Sequence, residues 1–166
     1  MSIDLVSAAT SPFEAGPEQG PLLALAGSWA GPTKTWFDAD GDPEVTHTVV
    51  VIEPILAGRI IRATYTGTAM GKPHAGMFLL TFDKAEGHYA MVWVDSFHMG
   101  TGLHFAPGKP LADGVSFLGS FPAGDERWGW RTSIRMIEGG VVLVEATNIM
   151  PDGTEMHAVE TRLSRT

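Results

Sequence analysis

The feature that most constrains the fold is a nearly continuous apolar segment, Tyr-Ala-Met-Val-Trp-Val-Asp-Ser, at residues 89–96. A strand has a period of two, so one face of this segment carries Tyr89, Met91, Trp93 and Asp95. A single carboxylate therefore lies in line with three large side chains. This arrangement is typical of a barrel strand that ends at a wet mouth, or of a binding cavity that contains one acid.

Similar segments recur along the chain, rich in Val, Ile, Thr, Phe and Trp and separated by Gly, Pro and Asp. They predict ten strands, at residues 28–38, 45–53, 59–68, 74–83, 88–96, 99–106, 114–121, 127–137, 141–149 and 154–164. The connections are too short for the crossovers that parallel strands need, so neighbouring strands are expected to be antiparallel. We therefore predict an all-β, up-and-down antiparallel barrel whose interior is filled by side chains or holds one small ligand.

The residues before the first strand predict an arm and a short helix. Residues 1–20 are rich in Ser, Ala, Pro and Gly and are interpreted as an N-terminal arm with a short helix near residues 3–9. Pro21 suits the first turn of a helix over residues 21–26, and Gly27 suits its end. The barrel domain is expected to span residues 21–166, with this helix covering one end.

Composition excludes several classes of function. The net charge of −8 does not favour binding to nucleic acid or to an anionic membrane, where affinity begins with Lys and Arg. The absence of cysteine excludes disulfides, thiolate catalysis and Cys-ligated zinc. No basic residue precedes Lys34, so the charged start of a signal peptide is missing and a soluble, cytoplasmic protein is expected.

Several uncommon residues occur in an order that resembles a known family. Gly27-Ser28-Trp29-Ala30-Gly31 is similar to the Gly-x-Trp entry of lipocalin-like (calycin) barrels. Further along come Ile52-Glu53-Pro54-Ile55-Leu56-Ala57-Gly58-Arg59, Tyr65-Thr66-Gly67, Met70-Gly71-Lys72-Pro73, Phe82-Asp83, Gly87-His88-Tyr89, Trp93-Val94-Asp95-Ser96, Met99-Gly100-Thr101-Gly102, Pro151-Asp152-Gly153 and Glu160. Over residues 24–165 this succession resembles the bacterial DUF1579 family. The resemblance implies a calycin-like barrel with an internal cavity and no assigned activity.

A more distant similarity, in the opening Gly-x-Trp motif, is to nitrobindin-like barrels, which carry haem on a histidine near the C-terminus. His157 lies roughly at that place, although Pro32 and Thr33 depart from the nitrobindin-like motif. In calycin barrels a basic residue of the last strand often packs over the entry tryptophan. The resemblance therefore implies that Arg162 or Arg165 covers Trp29.

The clearest alternation in the chain lies at residues 127–137. It puts Trp128 and Trp130 on one face and Arg127, Arg131 and Arg135 on the other. The indoles are interpreted either as core or as the lining of a ligand site, since their N–H groups need partners. The six histidines show neither helical zinc spacing nor a His-x-His pair, so no metal site is predicted.

The ligand-binding side chains are expected to be the large or polar ones that alternate into the barrel: Trp36, Tyr65, Met77, Met91, Trp93, Asp95, Met99, Trp128 and Trp130. The leading hypothesis is a lipocalin-like protein that binds a small, largely apolar molecule. The alternatives are an enzyme that uses Asp95 or a histidine as general acid or base, a haem protein with His157 as ligand, and a homodimer formed through an apolar outer face. Asp95 itself either serves a ligand or only holds the turn that follows it.

Overall fold

The computed structural model describes residues 15–166, in which ten strands form one closed barrel. The strands are β1 (Gly27–Thr35), β2 (Glu44–Ile55), β3 (Ile60–Ala69), β4 (Lys72–Asp83), β5 (His88–Asp95), β6 (His104–Leu111), β7 (Gly114–Ala123), β8 (Glu126–Ile137), β9 (Val141–Ile149) and β10 (Glu155–Arg165). Each strand pairs antiparallel with its neighbours in sequence, and β10 pairs with β1. The predicted up-and-down barrel of ten strands is confirmed.

The short N-terminal helix is also present, with different bounds from those predicted. A 3₁₀ turn (Pro17–Gln19) leads directly into helix α1 (Gly20–Leu23). The helical segment therefore takes in the last residues of the predicted arm. The helix predicted near residues 3–9 lies outside the described residues. In the part of the chain that the structure describes, no helix has the length and apolarity to cross a membrane.

The sixth strand differs most from its prediction. It was expected at residues 99–106 and to be broken by the prolines that follow, but it begins at His104 and continues through Pro107 and Pro110. Both prolines have strand partners, Ala90 and Val115 respectively. The residues before His104 form a loop instead, tightened by a 2.9 Å hydrogen bond from the Gly102 amide to the Met99 carbonyl.

The helical segment covers one end of the barrel because its apolar side chains and one amide turn inward. Leu22 and Leu25 are buried in the core. The buried side chain of Gln19 donates to the Arg59 carbonyl at 2.6 Å and accepts from the Phe82 amide at 2.8 Å. These bonds satisfy backbone groups at the ends of two strands, so this end of the barrel is closed.

The entry tryptophan is held from both sides at the same end. Trp29 is 1% exposed, and its Nε1 donates to the Leu25 carbonyl at 2.8 Å. The guanidinium of Arg165 lies 4.4 Å from the Trp29 ring and donates to the Ala26 carbonyl at 3.1 Å. Of the two arginines expected over this ring, Arg165 occupies the place, and Arg162 pairs with Glu160 on the surface.

The alternation predicted for residues 127–137 is confirmed on strand β8. Trp130, Thr132 and Ile134 are buried inside the barrel. The arginines point outward, where Arg131 pairs with Glu155 and Arg135 pairs with Glu145. The barrel wall is thus tied by ion pairs outside and packed by apolar side chains inside.

Candidate functional site

The barrel contains an interior cavity of about 110 Å³ and, at its open end, a wider cleft of about 720 Å³, which we call the vestibule. The interior cavity extends from Leu25 of the closed end and is lined largely by aliphatic side chains, among them Val50, Val142 and Leu163. The vestibule is open to solvent, and its lining includes seven Phe and Trp side chains. The residues that border both spaces, which we call the neck, are Thr35, Trp93, His98, Trp130 and Val159.

Three stacked rings cross the barrel at the neck. Phe78 of β4 stacks on Trp93 at 5.9 Å between ring centroids, and Trp93 stacks on Trp130 of β8 at 5.4 Å. The interplanar angles are 17° and 15°, so the rings are nearly parallel. Because β5 and β8 are not adjacent strands, the indole pair bridges the interior and separates the interior cavity from the vestibule.

Beside this stack, three neighbouring strands bring together the polar groups of the site. Tyr65 on β3, Gly76 on β4 and Asp95 on β5 are successive partners in the sheet. A side chain on the middle residue would separate the other two. A Cβ added to Gly76 would overlap the Tyr65 hydroxyl and lie 2.7 Å from the Asp95 Cβ. The missing side chain therefore lets the Tyr65 hydroxyl donate to Asp95 Oδ2, at 3.2 Å.

The carboxylate of Asp95 is buried and surrounded by donors. Its side chain is 1% exposed. Oδ1 accepts the amides of Phe97, at 3.1 Å, and of His98, while Oδ2 accepts the Tyr65 hydroxyl and His98 Nδ1, the latter at 2.6 Å. Burial alone would raise the pKa of Asp95, but these hydrogen bonds and the attraction to His98 outweigh it and hold the pKa below its usual value. Asp95 is therefore an ionised group whose accepting positions are filled by the protein.

Tyr65 is a neutral donor in this network. Burial and then the negative charge of Asp95 raise the pKa of Tyr65 well above its usual range, against the opposing effect of a hydrogen bond from Trp93. That bond runs from Trp93 Nε1 to the Tyr65 hydroxyl, at 2.9 Å. The indole N–H, the phenol and the carboxylate thus form one chain of donors that ends on Asp95.

His98 is the member of the network that meets the cavities. Its side chain is 32% exposed, against 1% for Asp95, and it borders both the interior cavity and the vestibule. An ionised carboxylate has no proton to donate, so Nδ1 of His98 carries the proton in their hydrogen bond. In the neutral imidazole Nε2 is then an acceptor, and it makes no hydrogen bond within residues 15–166. The chemistry available here is a fixed basic nitrogen beside stacked aromatic rings.

A second polar group lies deeper in the barrel and is built from threonines. Thr33 Oγ1 is 2.6 Å from Thr48 Oγ1 and 2.9 Å from Thr161 Oγ1, and all three side chains line the interior cavity. Thr132 also lines the interior cavity, but its buried hydroxyl has no hydrogen-bond partner among the described residues. A buried hydroxyl without a partner costs free energy, so this atom favours a polar guest in the cavity.

Two buried ring nitrogens likewise lack partners within the described chain: Nδ1 of His74, beside the interior cavity, and Nε2 of His104, beside the vestibule. His104 is 4% exposed and packs edge-on against Trp93. It fits only because position 119 is glycine, where an added Cβ would lie 2.5 Å from Nε2. Burial lowers the pKa of His104, which favours its neutral form.

The structure brings most of the predicted site residues together. Those that line the interior cavity are Tyr65, Trp93, Asp95 and Trp130, and those that line the vestibule are Trp36, Met99, Trp128 and again Trp93 and Trp130. Met91 is buried at 1% exposure but packs in the core without bordering either space. The prediction for Met77 was wrong. Met77 pairs with the exposed Thr64 and points outward, and its neighbour Phe78 points inward with Trp93.

His157 does not suit the haem that the more distant resemblance implied. The register of β10 against β9 shifts between His157 and Val159, and such a bulge breaks the alternation of faces. Val159 therefore points inward, while His157 is exposed and stacks on Trp36 at 5.5 Å. Neither cavity is lined by His157, and an interior cavity of about 110 Å³ is far smaller than a haem. Within the described residues no cluster of three or more metal-ligating side chains is present.

Sequence reasoning missed several residues of the site. His98 was not singled out among the six histidines, although Asp95 three residues earlier is a signal for a turn in which the carboxylate caps the following amides. The part played by Gly76 depends on strand register, which the local sequence does not show. The inward threonines Thr33, Thr48 and Thr161 were visible only as ordinary strand residues.

Comparisons with known proteins agree with this fold and assign no activity. The model of a family described as "Protein of unknown function (DUF1579)" matches residues 14–165. No curated protein matches the chain. Among solved structures, the chain is similar to the crystal structure of Rv2717c from M. tuberculosis, with a TM-score of 0.61 and 16% sequence identity over 92% of this chain and 99% of that one. At this identity the likeness shows a shared fold alone.

Proposed function

The chain belongs to the DUF1579 family, and we propose that it binds a small, largely apolar molecule within its barrel, in the interior cavity and the vestibule that leads to it. The observation that carries the proposal is the combination of an aliphatic interior cavity, an aromatic vestibule and a few fixed polar groups between them. Ligand sites in proteins commonly have this composition, since apolar walls supply affinity and a few polar atoms supply orientation. The vestibule volume also falls within the usual range of about 300–1,000 Å³ for such sites.

The unpartnered polar atoms support the same proposal. The hydroxyl of Thr132 and the ring nitrogen of His74 are buried beside the interior cavity without partners in the described chain. A buried polar group without a partner costs free energy, and a bound molecule with matching polar atoms would remove that cost. The proposed binding therefore stabilises the fold as well as occupying the space.

A direct test is native mass spectrometry of freshly purified protein, followed by titration with an apolar fluorophore and measurement of its affinity. Ala146 lines the interior cavity and is 5% exposed, so Ala146→Leu fills that space. Ala90 borders an outer groove instead, and Ala90→Leu is the matched control. We expect Ala146→Leu to weaken binding at least about tenfold and Ala90→Leu to leave it unchanged. A protein that binds no apolar probe, or binds it equally in both variants, contradicts the proposal.

A second candidate function is acid–base catalysis in the same site. It is favoured by the 2.6 Å hydrogen bond between Asp95 and His98, since a carboxylate that orients a histidine is a common arrangement around a general base. His98 borders the cavities and would be the catalytic residue, while the buried Asp95 would be a positioning residue. Once a turned-over compound is found, His98→Gln should remove turnover and retain binding, whereas an unchanged rate would exclude this candidate.

A further inference from the structure

We infer that the ligand is a flat, neutral aromatic compound with a hydroxyl group that donates a hydrogen bond to His98 Nε2. This inference rests on the proposed function and narrows it to a chemical class. It combines three features of the neck and vestibule: the fixed direction of the imidazole, the scarcity of charge on the lining, and the parallel indoles.

In its neutral form the imidazole accepts at Nε2, because the hydrogen bond to Asp95 places the ring hydrogen on Nδ1. The Asp95 carboxylate takes the Nδ1 hydrogen bond at 2.6 Å, and its own neighbours, Tyr65 and the amides of residues 97 and 98, are all donors. Since these described neighbours donate and do not accept, Asp95 Oδ2 remains the acceptor for the hydrogen on His98 Nδ1. The neutral ring therefore presents a lone pair at Nε2, and its natural partner is an O–H or N–H of the ligand.

The lining disfavours ligands that carry a full charge. Among the described residues, none that lines the interior cavity is Lys or Arg, and the vestibule has only Arg127, which is exposed and hydrogen-bonded to Ser120. A carboxylate or phosphate would thus lack a buried cation to pair with. A cationic ligand has no better partner, because Asp95, the one acid among the lining residues that the structure describes, already accepts four hydrogen bonds from the protein.

The shape of the neck favours a planar ring. Trp93 and Trp130 stand nearly parallel and border both spaces, and the centroid of the His98 ring lies 5.5 Å from that of Trp93 and 6.1 Å from that of Trp130. Phe97 packs edge-on against His98 at 4.7 Å and lines the vestibule. Aromatic faces bind other flat rings by stacking and edge contacts, so a hydroxyl beside such a ring would reach His98 while the ring contacts the indoles.

The test compares three naphthalenes that share one ring system: 2-naphthol, 2-methoxynaphthalene and 2-naphthoate. Affinities are measured by isothermal titration calorimetry at pH 7.5, with tryptophan quenching as a second readout. We expect 2-naphthol to bind about tenfold more tightly than its methyl ether, the value of one hydrogen bond, and 2-naphthoate to bind most weakly. His98→Phe should bring the naphthol and the ether to equal affinity. The matched control His47→Phe, at an exposed histidine of β2, should retain the preference.

The outcomes separate this inference from the proposed function. Equal affinity for naphthol and ether in the wild-type protein overturns the ligand class and leaves apolar binding intact. Tightest binding of 2-naphthoate also overturns it, because it would show an anion site. If none of the three binds, both the class and the proposed function fail. Circular dichroism of His98→Phe shows whether the variant is folded, and Asp95→Asn provides a second variant in which Nε2 of His98 should lose its acceptor preference.

Discussion

The imidazole of His98 and the carboxylate of Asp95, three residues apart, are joined by a 2.6 Å hydrogen bond, yet their side chains differ in exposure, 32% against 1%. The acid that stands out in the sequence is thus the inner partner, and the histidine after it is the group that a ligand meets. The turn that joins them is closed by the amides of Phe97 and His98, which donate to the same carboxylate. The two interpretations of Asp95 are therefore compatible: the same carboxylate holds the turn that follows it and orients His98.

The first prediction concerns the contribution of this carboxylate to stability. Asp95→Asn keeps the size of the side chain but removes the charge that accepts four hydrogen bonds. We expect the free energy of unfolding to fall by about 1–3 kcal/mol, measured by urea denaturation at pH 7. Asp40→Asn, at an exposed position of the β1–β2 loop, is the matched control and should change it by less than about 0.5 kcal/mol. Equal effects of the two substitutions would show that the network adds no stability.

The second prediction is the pH dependence of that difference. The folded pKa of Asp95 is held below its ordinary value, so its contribution is complete above the unfolded pKa of about 3.9 and is lost as pH falls through the folded pKa. The difference in unfolding free energy between the wild type and Asp95→Asn should therefore shrink as the pH is lowered from about 5 to below about 4. Urea denaturation between about pH 5 and 3 measures it, and a difference that grows as the pH falls through this interval would contradict the prediction.

The third prediction concerns the absence of a side chain at Gly76, on the middle strand of the site. A Cβ on Gly76 would overlap the Tyr65 hydroxyl and crowd Asp95, so Gly76→Ala should destabilise the fold by about 1–3 kcal/mol and weaken ligand binding. Gly20 is the matched control, since a Cβ there meets no atom within 4 Å. Gly20→Ala should leave both the unfolding free energy and the affinity nearly unchanged. A neutral Gly76→Ala would mean that Tyr65 relaxes without cost.

Asp95 and Gly76 show why the fold was easier to predict from the sequence than the candidate functional site. The ten strands follow from local alternation and from turn residues, so their number and antiparallel order are visible in the chain. The contact between Tyr65 and Asp95 depends on strand register across the intervening strand β4. The alternation of side chains along a strand does not by itself say which face points inward, so the inward prediction for Met77 was wrong. The bulge beside His157 is a further departure that alternation does not reveal. The predicted homodimer stays a prediction.

The fourth prediction concerns the closed end of the barrel. Arg165 stacks on Trp29 and donates to the Ala26 carbonyl, so Arg165→Ala removes both a cation–π contact and a hydrogen bond. We expect a loss of about 1–2 kcal/mol in unfolding free energy, together with a change in tryptophan fluorescence. Within residues 15–166 the side chain of Arg162 makes only a surface ion pair with Glu160, so the effect of Arg162→Ala should stay below about 0.5 kcal/mol. Equal losses would show that the contact with Trp29 contributes nothing specific.

The last prediction uses two buried threonines that differ only in their partners. Thr33 bonds to Thr48 and Thr161, whereas the hydroxyl of Thr132 has no partner among residues 15–166. Replacing a hydroxyl by a methyl of the same shape removes hydrogen bonds in the first case and an unsatisfied polar atom in the second. Thr33→Val should therefore lower the free energy of unfolding by about 1–2 kcal/mol, and Thr132→Val should raise it by up to about 1 kcal/mol in ligand-free protein. Thermal and urea denaturation measure both.

If the proposed ligand bonds to Thr132, Thr132→Val should also weaken its binding, so a variant that gains stability and loses affinity would assign this hydroxyl to the ligand. A loss of stability in Thr132→Val without ligand would instead show that water satisfies the hydroxyl.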